Sequence, residues 1–139
     1  MRKSKIFIKK AMYNELLAYC LKEPQKETCG ILAGKAARIE KIFPLTNISD
    51  SPKLCYHIDP KEQLAVFKEL RKQAIEMVAI YHSHVDSQAY PSQRDIELAF
   101  YPESSYIIVS LSDPGQPQVR SFKIVEGKII EEELVIENA

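Results

Sequence analysis

YHSHVDSQAYPSQRD, residues 81–95, is the stretch from which the rest of the chain can be read. It ends a run over 76–84 that is apolar on both faces, as expected of a central strand covered on both sides. Side chains two apart on a strand point the same way. His82 and His84 therefore share a face, in line with Val78 and Ile80, while Tyr81 and Ser83 face the other way. Both imidazoles lie at the end of the strand, where open α/β sheets place their sites. Residues 85–91 read as a loop. Ser92 then reads as the N-cap of a helix running to Phe100 and stopped by Pro102.

Two neutral imidazoles side by side are half of a tetrahedral zinc shell. Asp95, in the first turn of the helix that Ser92 opens, is the natural third ligand. The seven-residue loop is long enough to fold that turn back over the histidines. Three protein ligands leave the fourth position for water. Imidazole and carboxylate without thiolate suit Zn²⁺ best, with Mn²⁺, Fe²⁺ or Co²⁺ as substitutes. A plainer reading stands beside this one. An S-x-x-D segment is an ordinary capping arrangement, and a lone H-x-H on a strand is more often structural. The two readings of Asp95 are compatible, since one carboxylate oxygen can face a metal while the other accepts a helix N–H.

Outward from this stretch, residues 5–8 read as a first strand. Residues 10–22 read as a helix, with Met12, Leu16 and Cys20 in one row, Leu17 and Leu21 beside it, and Pro24 beyond. Residues 27–35, ETCGILAGK, read as a strand with Glu27, Cys29, Ile31 and Ala33 on one face. Gly30 and Gly34 weaken a strand and imply close approach of another backbone. Residues 37–45 read as its partner, 46–53 as a polar loop and 55–58 as a short strand. Asp59-Pro60 is a helix start, Asp as N-cap and Pro as first helical residue. Leu64, Phe67, Leu70 and Ala74 line the inner face of that helix, which runs to about Ile75. Residues 105–111 form another strand, and 119–125 with 128–136 a hairpin across Glu126-Gly127. Helices and strands mix without a strict βαβ repeat, an α/β (α+β) class.

A chain of 139 residues is expected to form one domain, here 1–139, with room for a substantial core. Lys plus Arg and Asp plus Glu both number 19, so the net charge gives no case for nucleic acid or an anionic membrane as partner. The basic start loses its apolar run after Ile8. No signal peptide or membrane span is expected, and the default compartment is cytoplasmic. Cys20, Cys29 and Cys55 are too few and too scattered for a disulfide framework or a four-cysteine zinc site, and read as small buried thiols. His57 reads as structural or surface, Tyr90 as a packing ring that could instead meet a substrate. Asp86 and Asp113 read as turn caps.

Taken together, His82, His84, Ser92 and Asp95, spaced H-x-H, seven residues, S-x-x-D, with Glu27 upstream in ETCGILAG, resemble the signature of the JAMM (MPN+) metallopeptidase family. The likeness covers most of the chain. The compact length and the wording HSH…AYPSQRD look most like the prokaryotic branch. The resemblance implies a curved mixed β-sheet flanked by helices, related to that of cytidine deaminases, though the deaminase wording H-x-E…P-C-x-x-C is absent. It further implies a zinc isopeptidase or peptidase acting at the C-terminal tail of a ubiquitin-like or sulfur-carrier protein. In that scheme His82, His84 and Asp95 hold the zinc, Glu27 carries the proton from water to the leaving amine, and Ser92 donates to the oxyanion. The tail would bind extended against a strand edge, shaped by loops 46–53 and 85–91. Free strand edges would also allow a homodimer. Two other readings remain at this point: a non-catalytic module that binds a ubiquitin-like partner, and a zinc hydrolase of a small acyl substrate.

Overall fold

The computed structural model describes residues 4–138. Residues 1–3 and 139, which the expected domain and its basic start include, lie outside them. Seven strands and three helices follow in the order β1 (Lys5–Lys9), α1 (Lys10–Lys22), β2 (Cys29–Lys35), β3 (Arg38–Leu45), α2 (Pro60–Gln73), β4 (Glu76–His84), α3 (Gln93–Glu97), β5 (Ser105–Ser110), β6 (Gln118–Val125) and β7 (Lys128–Glu137). The strands pair as β1-β3-β2-β4-β5-β6-β7 and back to β1, a sheet curved until it closes. β1 joins β3 and β7 in parallel, β4 joins β5 in parallel, and the other pairs are antiparallel. This is the α+β class with a curved mixed sheet that the sequence implies. Closure removes most of the free edge on which a strand-to-strand homodimer would rest.

Each face of the sheet has its own core. α1 buries Leu16 and Cys20 against Leu32, Tyr81, Ile107 and Val109. On the opposite face α2 buries Val66 and Leu70 against Ile31 and Ala33. Ile80, Ile108, Tyr106 and Phe122 lie on that same face under Tyr56 and Ala89. The inner row of α2 is therefore Val66 and Leu70, and Leu64, expected there, is 54% exposed. α2 is bounded as its sequence foretells: Asp59 accepts from the Lys61 N–H and Pro60 opens the helix. Ala74, in a left-handed conformation, closes it. Among the described residues no helix is long and apolar enough to cross a membrane.

Several local expectations change. Leu32 pairs with Ala79 and Ala33 with Met77, so Val78 is the extra residue of a β-bulge. The bulge turns Val78 to the α1 face with Ala79 and Tyr81, so the row leading to His82 is Met77, Ile80, His82. Residues 55–58 make only an isolated bridge between Asn47 and Ile58. The Asn47 side chain bonds the Cys55 carbonyl and the His57 N–H, and so occupies groups a ladder would use. α3 ends at Glu97: beyond it the Ala99 N–H turns to the Ile96 carbonyl at 3.3 Å, the Phe100 N–H to the Leu98 carbonyl at 3.0 Å and the Tyr101 N–H to the Tyr106 hydroxyl at 3.0 Å. Glu27 precedes β2 and is not part of it. Cys55 is half-buried, against Ser49 and the Ser51 carbonyl, unlike the fully buried Cys20 and Cys29.

The two β2 glycines do permit close approach. A Cβ on Gly30 would meet the Tyr81 ring and the Phe43 carbonyl, and one on Gly34 the Arg38 carbonyl. The β2–β3 turn is less conventional: Ala36 and Ala37 both have positive φ, 51° and 62°. An alanine held there costs on the order of 1 kcal/mol over glycine or asparagine. Replacing Ala36-Ala37 by Asn-Gly is expected to raise stability by about 1–2 kcal/mol, read as the urea midpoint at unchanged slope. No rise, or a fall, would mean that the turn is not strained.

Candidate metal centre and active site

β4 is bordered by β2 and β5, and this fixes its end. His82 pairs with Cys29 on one side and Ile108 on the other, and His84 with Ser110. Past the end, the loop over 85–91 turns back and is pinned. Ala89 is fully buried, the Ser110 hydroxyl donates to the Ser87 carbonyl at 2.7 Å, and Tyr90 packs edge-on against Phe122. Tyr90 thus fills the packing role. The loop delivers Ser92 to the start of α3.

There the cap forms in full. The Asp95 N–H donates to Ser92 Oγ at 3.1 Å, and the Ser92 N–H donates to Asp95 Oδ2 at 2.9 Å. The same Oδ2 lies 2.9 Å from His84 Nε2 and 3.1 Å from His82 Nε2, and the two Nε2 atoms are 3.1 Å apart. One oxygen thus serves cap and cluster together, where separate oxygens were expected. His82, His84 and Asp95 are the metal-competent group among the described residues.

Three acceptor atoms at the corners of a small triangle need a cation or a proton between them. His84 Nδ1 donates to the Gln88 carbonyl at 2.8 Å, and this leaves Nε2 of the neutral ring with its lone pair toward Asp95. Orientation of a ligand histidine through its second nitrogen is the usual support for a metal. Around a tetrahedral ion with bonds of about 2.0–2.1 Å, ligand atoms stand roughly 3.3 Å apart. The triangle is within a few tenths of an ångström of that. The residues fit a metal, with His82 Nε2, His84 Nε2 and Asp95 Oδ2 as its donors.

Burial makes the fit electrostatically forceful. His82, His84 and Asp95 are 1%, 2% and 5% exposed. Burial pushes His82 below the ordinary imidazole range. Burial also opposes a charge on His84, yet its bonds to Asp95 and Gln88 outweigh this and raise it. Asp95 is held well below the usual carboxylate range: burial acts upward, and the two imidazoles against it, which share a proton with it in the metal-free fold, more than cancel that. The Tyr56 ring stacks on His82 with centroids 4.3 Å apart and seals that flank, leaving His82 Nδ1 buried without a partner.

Glu27 comes to the same place from the far side. It is 5% exposed, and its Oε1 has no hydrogen-bond partner. Burial lifts its carboxyl to about 8; nearby His84 pulls it down and Asp95 pushes it up. Of the expected residues, His82, His84 and Asp95 converge; Glu27 is buried near enough for the charges of His84 and Asp95 to act on it, and Ser92 is exposed at the start of α3. Asp86 forms an ion pair with Lys53 at 3.8 Å across the two loops flanking the site, and Asp113 caps its turn through the Gly115 N–H. Sequence reasoning missed Asn47 and Tyr56, the first of which holds the Glu27 carbonyl. No spacing pattern marks either one.

The cap and the cluster can be separated experimentally. Ser92→Ala is expected to lower stability by about 1 kcal/mol and to keep the wild-type metal content by mass spectrometry. His84→Ala leaves the cap intact and is expected to abolish stoichiometric metal. Equal metal in the His84 variant would remove it from the donor set.

Residues 9–125 match the family described as prokaryotic homologs of the JAB domain. The CysO-cysteine peptidase of Mycobacterium tuberculosis is 37% identical over 129 residues, covering 91% of this chain and 88% of that protein. A probable TtuB-protein conjugate cleaving protease of Thermus thermophilus is 34% identical over 123 residues, 88% and 78% of the two chains. A protein of Desulfitobacterium hafniense, known from a solution structure, superposes with a TM-score of 0.87 at 36% identity, covering 96% of this chain and 94% of that one. With a family match over most of its length and the buried His82–His84–Asp95 cluster beside Glu27, the chain belongs to the prokaryotic homologs of the JAB domain.

Proposed function

We propose that this chain is a zinc-dependent peptidase or isopeptidase of the JAMM type, one domain acting in the cytoplasm. Its substrate is the amide bond at the C-terminal tail of a ubiquitin-like or sulfur-carrier protein. The observation that carries the reading is the buried, unpartnered Glu27 carboxyl beside three converging donors. The relatives' names, which specify a CysO-cysteine peptidase and a protease cleaving TtuB-protein conjugates, support the substrate class.

His82, His84 and Asp95 would hold the zinc, which supplies a Lewis acid next to the scissile carbonyl. Glu27 is the proton carrier: its carboxylate takes a proton from the attacking water and passes it to the leaving nitrogen as the C–N bond breaks. Burial raises this carboxyl in the metal-free fold, and a cation among the donors would draw it back down toward neutral pH, where one acid can both take and return a proton. Ser92 Oγ accepts the Asp95 N–H, which leaves its own O–H free to donate to the oxyanion. β4 offers no free edge to an extended tail, since β2 and β5 flank it. The tail instead runs over the strand end, between the loops at 46–54 and 85–91.

Incubation of the zinc-loaded protein with carriers extended at the C-terminus is expected to release the extension, seen by intact mass. Glu27→Gln should keep zinc and lose turnover. A loaded wild type that cleaves none of them would overturn the activity and leave a binding module. Loss of zinc in parallel with activity in Glu27→Gln would overturn the role of Glu27.

The raised carboxyl also has a stability signature in metal-free protein. From about pH 4 to about 8 the fold keeps a proton that the unfolded chain has released, so stability falls as pH rises through that window. In chelator, Glu27→Gln is therefore expected to be more stable than wild type at pH 9 by roughly 5 kcal/mol. The gap should close below about pH 4. Parallel stability curves for the two proteins across this range would show that Glu27 is not strained by burial.

A further inference from the structure

Glu27 is aimed without help from its own side chain. Its Oε1 has no hydrogen-bond partner, and the residue lies outside the β2 ladder. Its direction therefore rests on its backbone, and every bond there comes from elsewhere. The Glu27 N–H donates to the Pro52 carbonyl at 2.7 Å. The Glu27 carbonyl accepts from Asn47 Nδ2 at 2.9 Å. The next residue is clamped to β4 between the two histidines: the Thr28 N–H donates to Ser83 Oγ at 2.9 Å, and the Ser83 N–H to the Thr28 carbonyl at 3.0 Å.

Asn47 is the hub of this arrangement. A carboxamide has two N–H donors and two lone pairs, and Asn47 uses all four. Nδ2 also donates to the Cys55 carbonyl at 3.1 Å, while Oδ1 accepts the Ser49 N–H at 3.0 Å and the His57 N–H at 2.9 Å. The Cys55 and His57 bonds bracket Tyr56, the ring stacked on His82. One half-buried amide thus ties the strap that carries Glu27 to the wall that covers a metal donor.

We propose that Asn47 is the positioning residue for Glu27, holding its carbonyl so that the carboxyl faces the His82–His84–Asp95 cluster. The proposal rests on the reading of Glu27 as proton carrier. A donor-competent amide is required: aspartate would keep the bonds from Ser49 and His57, lose both donors and set an anion against two carbonyl oxygens.

Asn47→Asp is therefore expected to lower kcat by about 10–100-fold, the order that a misplacement near 1 Å costs. KM should stay within about threefold, and zinc should remain at one per chain, because all four Asn47 bonds are made to protein groups and none is left for the tail or the metal. Asn47→Ser, uncharged and with one donor, should fall between this variant and wild type, and serves alone should Asn47→Asp not fold. In a Glu27→Gln background the Asn47 change should bring no further loss. Amide exchange at Glu27 should accelerate in the Asn47 variants while the β4 amides keep their protection. Unchanged kcat, a loss confined to KM, or a full further loss in the Glu27→Gln background would each overturn the proposal. So would unchanged exchange at Glu27, which is measurable even on a protein that cleaves nothing. Wild-type inactivity, by contrast, would sink the peptidase reading.

Discussion

Three lone pairs meet within 2.9–3.1 Å of one another at His82 Nε2, His84 Nε2 and Asp95 Oδ2, and the rest of the structure serves that convergence. Acceptors repel unless a cation or a proton sits among them, so the arrangement needs rigid support from both sides. β4 supplies one side by lying between two strands, whose ladders fix the backbone from which both histidines project. The loop at 85–91 supplies the other, anchored by Ala89, by Ser110 and by the Tyr90–Phe122 contact. The Gln88 carbonyl then chooses the tautomer of His84, which decides whether a lone pair or a proton faces the cluster.

The low dielectric that strengthens a cation's hold on this triangle also acts on Glu27. A buried acid with no partner is disfavoured as a charge, so its proton is retained to about pH 8. The two effects are complementary. A cation among the donors offsets the cost of ionising Glu27, and ionised Glu27 strengthens the site for the cation. Neither needs a contact between them, only shared exclusion from water. The loops at 46–54 and 85–91, linked at the surface by Lys53 and Asp86, enforce that exclusion.

How far the sequence reveals this depends on whether the physics is local. The ends of β4, the Asp59 cap and the Ser92–Asp95 cap depend on neighbours in the chain, and each stands where periodicity and capping chemistry put it. The histidine face follows from a two-residue period, but only from Ile80 onward, because the bulge at Val78 breaks that period. The bulge answers to register with β2 and leaves no mark in its own composition. The turn at Ala36-Ala37 contains no turn-forming residue; strand pairing forces it. Residues 55–58 have strand composition but meet a side-chain amide that takes the bonds a ladder would use. Glu27 is identified only by likeness to a family, since an acid after a charged run has no local signature of burial. Asn47 has none either: its four partners lie at residues 27, 49, 55 and 57, and only the fold brings them together.

α3 shows how closely folding and site formation are joined. Five residues cannot sustain a helix in water, where a costly nucleus must be offset by many more turns. This helix exists because its cap is complete, because Ile96 packs on the core, and because Asp95 is gripped by two imidazoles. The oxygen that accepts the capping N–H is the oxygen offered to the metal, so forming the helix and completing the donor set are one event. Whatever binds there stabilises the folded state by mass action, and the first segment to gain is the short helix that delivers Ser92 to the rim. Ser92 is thus set by the same cluster it borders: its hydroxyl oxygen accepts the Asp95 N–H, and its own proton is committed to no other described residue.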